Sequence, residues 1–90
     1  MLHEGMLMPR VQVCVHQMSN GKVEISCKAI HPHSRPYDTT VEAKIILVRL
    51  GVSEDAADAY LARLQDGTLI DVGEYEVEDN ILKETGFTAV

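Results

Sequence analysis

Cys14 and His16 stand two residues apart, and Glu24 follows beyond a Ser19-Asn20-Gly21 turn. A thiol, an imidazole and a carboxylate in one patch are the parts of a nucleophile, its base and an orienting group. Cys27, His31 and His33 are the side-chain types that zinc prefers. His33, Arg35 and Tyr37 precede a helix start, where a guanidinium and free backbone N–H groups can hold a phosphate or carboxylate. The fourth set is acidic. Glu74, Glu76 and Glu78 alternate along an extended segment, which spaces them about 7 Å apart, and Asp71 and Asp79 flank them. No basic residue falls between Asp66 and Asn80.

Three of these sets have plainer explanations. The Cys27–His31–His33 spacing fits no standard structural zinc site, and the carboxylates lack the loop spacing of an EF-hand. An open sheet face gives Cys14 neither a water-excluding pocket nor oxyanion donors. Asp38 opposes an anion at the helix start. No catalytic group, metal or cofactor is therefore expected. The acidic ladder remains as the working surface, because like charges in a row gain from a basic partner that relieves them.

The elements that must position these residues can be read from periodicity. Val11, Val13 and Val15 alternate with polar residues, as do Val23, Ile25, Cys27 and Ala29 after the turn, so residues 11–29 read as a β-hairpin. A two-residue Asn20-Gly21 loop would oppose valines to Lys28 and Ser26. A three-residue Ser19–Gly21 loop pairs Val15 with Ile25, Val13 with Cys27 and Val11 with Ala29, and keeps the apolar side chains on one face. That register sends Cys14 and Cys27 to opposite faces and forbids a disulfide between them. His31 to Asp38, with two prolines, reads as a loop.

Thr39 and Glu42 form a capping-box pattern ahead of a helix over 41–50. Val41, Ile45 and Val48 form one apolar stripe, widened by Leu47 and Leu50, and a helix this apolar should be covered on more than one side. Gly51 ends it. Ser53 caps a second helix with Glu54 and Asp55 in its first turn and Ala57, Tyr60, Leu61 and Leu64 on its buried stripe; Asp58, Ala62 and Gln65 face outward. Residues 68–78 are extended, and the apolar parity switches at Gly73, which predicts a bulge or bend there. A helical turn from Asp79 and a short strand containing Phe87 are expected to close the chain, with a closing strand over Ile81 to Val90 as the alternative.

Residues 41–78 resemble a winged helix-turn-helix: two helices about Leu50-Gly51-Val52-Ser53, then an extended wing. The resemblance implies DNA binding through the second helix. Leu47 stands where that motif takes a small residue, and Glu54, Asp55 and Asp58 would repel phosphates.

The chain has 90 residues, 46% hydrophobic and 24% charged, which allows one small core and no second domain. Its formal net charge of −6 argues against nucleic acid as a partner. The charge is uneven. Residues 1–37 set Arg10, Lys22, Lys28 and Arg35 against Glu4 and Glu24, whereas residues 38–90 set four basic residues against twelve acids. Two cysteines are too few for a disulfide scaffold, no run reaches the ~20 apolar residues of a membrane span, and Met1 to Met8 lack the form of a signal peptide. A cytoplasmic protein with reduced thiols and no membrane partner is expected.

The expected fold is α+β in a single domain over 9–90, with residues 1–8 as a segment without structure. An N-terminal β-hairpin, two consecutive helices and one or two C-terminal strands form a small antiparallel sheet, ββααβ in type. The expected function is that of a non-enzymatic regulator, adaptor or inhibitor, in a pattern that also suits a phage or mobile-element protein acting against a nucleic-acid enzyme. It would bind a basic protein surface through Asp71, Glu74, Glu76, Glu78 and Asp79, with Glu54, Asp55 and Asp58 of the second helix. The alternative is a degenerate winged helix-turn-helix regulator. The chain is expected to be a monomer or a homodimer, the latter through the Cys14 side of the hairpin.

Overall fold

The computed structural model describes residues 9–28, 32–65 and 67–87. The segment 1–8, Ala29, His31 and the last residues of the expected closing strand lie outside them. The element order is β1 (Arg10–Gln17), β2 (Val23–Lys28), β3 (Pro32–Tyr37), α1 (Thr40–Arg49), α2 (Glu54–Ala62), β4 (Leu69–Glu76) and α3 (Asp79–Thr85). The strands form one antiparallel sheet in the order β3-β2-β1-β4. This is a small α+β domain, as the periodicity predicts.

The β1–β2 turn has the three-residue loop. Met18 N–H donates to the Lys22 carbonyl at 2.9 Å, and Val15 pairs with Ile25 and Val13 with Cys27. Val11, Val13, Val15, Val23, Ile25 and Cys27 are consequently all buried on one face. The β4 register slips between Val13 and Cys14, so Val13 faces Gly73 while Cys14 faces Asp71. Val72 is the extra residue of this bulge and is buried, as are Val77 beyond the strand and, from the helices, Leu82. The bulge lies at the predicted parity switch.

Three expectations are corrected. Residues 32–37 are not a loop but the edge strand β3, pairing Ser26 with Ser34 and Val23 with Tyr37. Prolines are tolerated at an edge, where the missing N–H can face away from the sheet, and they discourage pairing with another chain. Residues 79–85 form a full helix, and Phe87 follows it as a buried residue outside any strand. Finally, β4 pairs with β1 and forms no wing of its own after the helices.

A fourth correction concerns α1. Thr39 caps it as predicted: its Oγ1 accepts from Glu42 N–H at 3.2 Å, while Glu42 Oε2 accepts from the Asp38 N–H at 3.1 Å. The buried face, however, is Ala43, Leu47 and Leu50. Val41, Ile45 and Val48 are 68%, 60% and 39% exposed. At about 100° per residue the two triplets lie on opposite sides of the helix. Either could have formed the core; Ala43 decides for its own side, because a methyl group lets the helix approach the sheet closely.

The C-terminus of α3 is held by a Schellman-type end, with Phe87 N–H donating to the Leu82 carbonyl at 2.8 Å across Gly86 at φ +86°. The Arg35 side chain from β3 lies against that glycine, so that a Cβ there would stand 2.5 Å from its Nη1. The guanidinium thus sits at the negative end of the helix.

Leu47→Ala should cost about 2–5 kcal/mol in urea unfolding, while Ile45→Ala in dilute protein should stay within about 0.5 kcal/mol. Equal losses would contradict the facing of α1. Gly86→Ala puts a side chain at a left-handed φ of +86° and should cost about 1–3 kcal/mol by the same measurement, with the exposed Arg35 side chain moving aside.

Candidate functional site

Among the described residues the three helices pack buried side chains into the core on the valine face of the sheet, and no helix lies on the opposite face. The register places Arg10, Gln12, Cys14 and His16 of β1 on that bare face, beside Glu24, Ser26 and Lys28 of β2 and Leu69, Asp71, Glu74 and Glu76 of β4. The acids gather along β4, the strand at the edge.

Asp71, Glu74 and Glu76 are exposed. The nearest cation is Arg10, whose Nη1 is 3.4 Å from Glu74 Oε1 and whose Nη2 is 3.9 Å from Glu76 Oε2. Gln12 donates to Asp71 Oδ2 at 3.0 Å, and the other Asp71 oxygen accepts from the Gly73 N–H in the bulge at 3.1 Å. The ladder is therefore shorter than its sequence spacing suggests. Glu78 stands beyond the strand at the N-cap of α3, and Asp79 in the first turn pairs with Lys83 at 3.2 Å.

The helical acids belong to a different surface. Glu54 and Asp58 of α2 lie 3.5 and 3.0 Å from Lys44 Nζ of α1, and the hydrogen bond that Lys44 donates to Asp58 raises the Lys44 pKa. Asp55 has no ion pair among the described residues. Since α2 packs on the valine side, with its Tyr60 hydroxyl 3.4 Å from the Val72 carbonyl, these acids and the β4 acids lie on opposite layers of the molecule.

The chemically suggestive sets are not assembled. His16 Nδ1 approaches Glu24 at 3.6 Å, but the cross-strand neighbours of Cys14 are Ser26 on β2 and Asp71 on β4. Burial and the Asp71 charge both push the Cys14 thiol up, opposite to what activates a nucleophile. Cys27 points into the core, with its thiol pushed up to about 12 by burial and, less, by Cys14. Among the described residues no three His, Cys, Asp or Glu side chains gather as a metal site would require. Arg35 is turned to Gly86. The Tyr37 hydroxyl is buried with no hydrogen-bond partner among the described residues, and burial raises its pKa against the pull of the nearby Arg35 charge.

Sequence reasoning missed one surface. Val41, Ile45 and Val48 line a shallow groove of about 400 Å³ with Lys44, Arg49 and Glu54. They are three of the four large apolar side chains exposed among the described residues. No helix among those residues is long and apolar enough to cross a membrane.

The Cys27 thiol gives the fold an alkaline limit. Between its ordinary 9.0 and about 12 the unfolded chain has released this proton and the folded chain has not. Stability contributed by the buried thiol is thus lost as pH rises, at about 1.4 kcal/mol per pH unit. Urea unfolding above pH 9 should show a fall that is shallower by about this slope in Cys27→Ala. Parallel pH profiles for the two proteins would contradict the burial of the thiol.

No family model, curated protein or solved structure matches the chain, so its function must be read from the placement of these side chains alone.

Proposed function

We propose that this chain is a small, non-enzymatic interaction protein, a regulator, adaptor or inhibitor, that docks on a basic protein surface through β4. The supporting observation is the exposed Asp71–Glu74–Glu76 strip on the helix-free face, with Arg10 the only cation in ion-pair range of Glu74 and Glu76 among the described residues. Exposed pairs of this kind contribute little to stability, about 0–1 kcal/mol, so a partner's lysines and arginines can displace Arg10 at small cost. The backbone beneath the strip is fixed by pairing to β1, which presents the carboxylates at strand spacing without ordering a loop.

Glu78 and Asp79 follow the strand at the start of α3, where Asp79 is paired with Lys83. Glu54, Asp55 and Asp58 face another way, so a flat partner engages the strand acids alone. The reduced, separated thiols suit a cytoplasmic setting.

The test is affinity purification from the source cell, with the wild-type chain and the Asp71→Asn, Glu74→Gln, Glu76→Gln triple variant as baits. The triple variant should unfold within about 0.5 kcal/mol per site of wild type, since all three side chains are exposed. A basic protein should be recovered by the wild-type chain, released by salt, and bound at least about tenfold more weakly by the triple variant. Equal retention by both baits would overturn the proposal. Recovery of nucleic acid instead of a basic protein would overturn it in favour of the helix-turn-helix alternative.

A further inference from the structure

The exposed face of α1 is not explained by the acidic strand. Val41, Ile45 and Val48 fall within an arc of about 60°, so they form one continuous stripe along the helix. Contiguous apolar surface rimmed by polar groups marks an interface. Its rim carries both signs, Lys44 and Arg49 against Glu42 and Glu54. A strongly basic or strongly acidic partner would meet like charges on such a rim. A second copy of the same face would not, provided the two helices run in opposite directions.

We infer that the chain forms a homodimer in which α1 packs antiparallel on α1 of a second copy, about a two-fold axis at Ile45. In that arrangement Ile45 meets the partner's Ile45, and Val41 meets the partner's Val48. Glu42 and Arg49 lie on the same flank of the helix, about 20° apart. An antiparallel two-fold brings each Glu42 alongside the partner's Arg49. Both groups have free capacity for this contact. Arg49 uses only Nη2 on Glu84, at 2.6 Å, which leaves Nη1 and Nε. Glu42 uses Oε2 to accept from Asp38 N–H, which leaves Oε1. Lys44 is already held by Asp58 and Glu54 on the other flank. Antiparallel helices also oppose their dipoles favourably. A face of one 10-residue helix is at the small end of protein interfaces, so the dimer is weak and forms with rising concentration.

The proposal is independent of the acidic-strand reading, because the residues and the face differ. Sedimentation equilibrium of the full chain under reducing conditions should show the average mass rising toward twice the monomer value. Ile45→Glu should hold it at the monomer value with an unchanged circular dichroism spectrum, since Ile45 is outside the core. Glu42→Arg and Arg49→Glu should each weaken association by at least about tenfold, and the double variant should recover it. In a Cys14→Ser background, a mixture of Val41→Cys and Val48→Cys chains should oxidise mainly to the mixed disulfide. A wild-type chain that stays monomeric up to about millimolar concentration, the range of the weakest associations, would overturn the proposal and leave the stripe to a different partner. So would a dimer that survives Ile45→Glu, including one held by the Cys14 face, or a predominance of self-disulfides from Val41→Cys alone.

Discussion

The hairpin register decides nearly everything else in this molecule. A loop of three residues between Met18 and Lys22 puts Val13 opposite Cys27 and Val15 opposite Ile25, and so collects the apolar side chains of both strands on one face. A loop one residue shorter would have scattered them over both. With one face apolar and one polar, the helices have a single place to go. They cover the valines, and among the described residues the sheet's other side carries no helix and leaves Asp71, Glu74 and Glu76 exposed. The separation of core from surface thus follows from the register that a local turn sets.

Closing the sheet over that face required a concession in β4. Ile70 and Tyr75 both belong to the inner face but are an odd number of residues apart, and the bulge at Val72–Gly73 absorbs the difference. The same irregularity turns the Gly73 N–H to Asp71. Packing on the inner side therefore fixes one of the acids on the outer side, and the acidic strip is coupled to the core through the backbone of the edge strand. Arg35 makes a comparable link at the other edge, joining β3 to the end of α3.

The hairpin, the caps at Thr39 and Ser53, and the bulge were all legible in the sequence because each is a local matter of parity or of a few adjacent residues. What was not legible depended on contacts between distant segments. The Arg10 pairing with Glu74 and Glu76 exists because β4 returns beside β1, which no local pattern announces. β3 hid behind its prolines, whose usual message is a loop. For α1 the difficulty was different: Val41–Ile45–Val48 and Ala43–Leu47–Leu50 are equally periodic. Counting apolar residues favours the bulkier stripe, whereas close approach to a sheet favours the one that contains alanine. The expected cover on more than one side is not met among the described residues, where Val41, Ile45 and Val48 stay exposed; which side the domain itself uses was a steric question.

The two unabsorbed surfaces sit on opposite layers, and that arrangement has a consequence for a chain of net charge −6. Two copies approaching through their bare sheet faces would oppose carboxylates to carboxylates. Approach through α1 instead places the helical layers between the two acidic strips and keeps them apart, where screening over about 8–10 Å of salt solution weakens their repulsion. Pairing through α1 would also direct both β4 strips outward. A basic partner with two equivalent sites would then meet two strips on one rigid body, and its second contact would be intramolecular, which strengthens binding without any new kind of contact. The polarity of the sheet, fixed by the hairpin, thus decides which face can self-associate and which must look for something else.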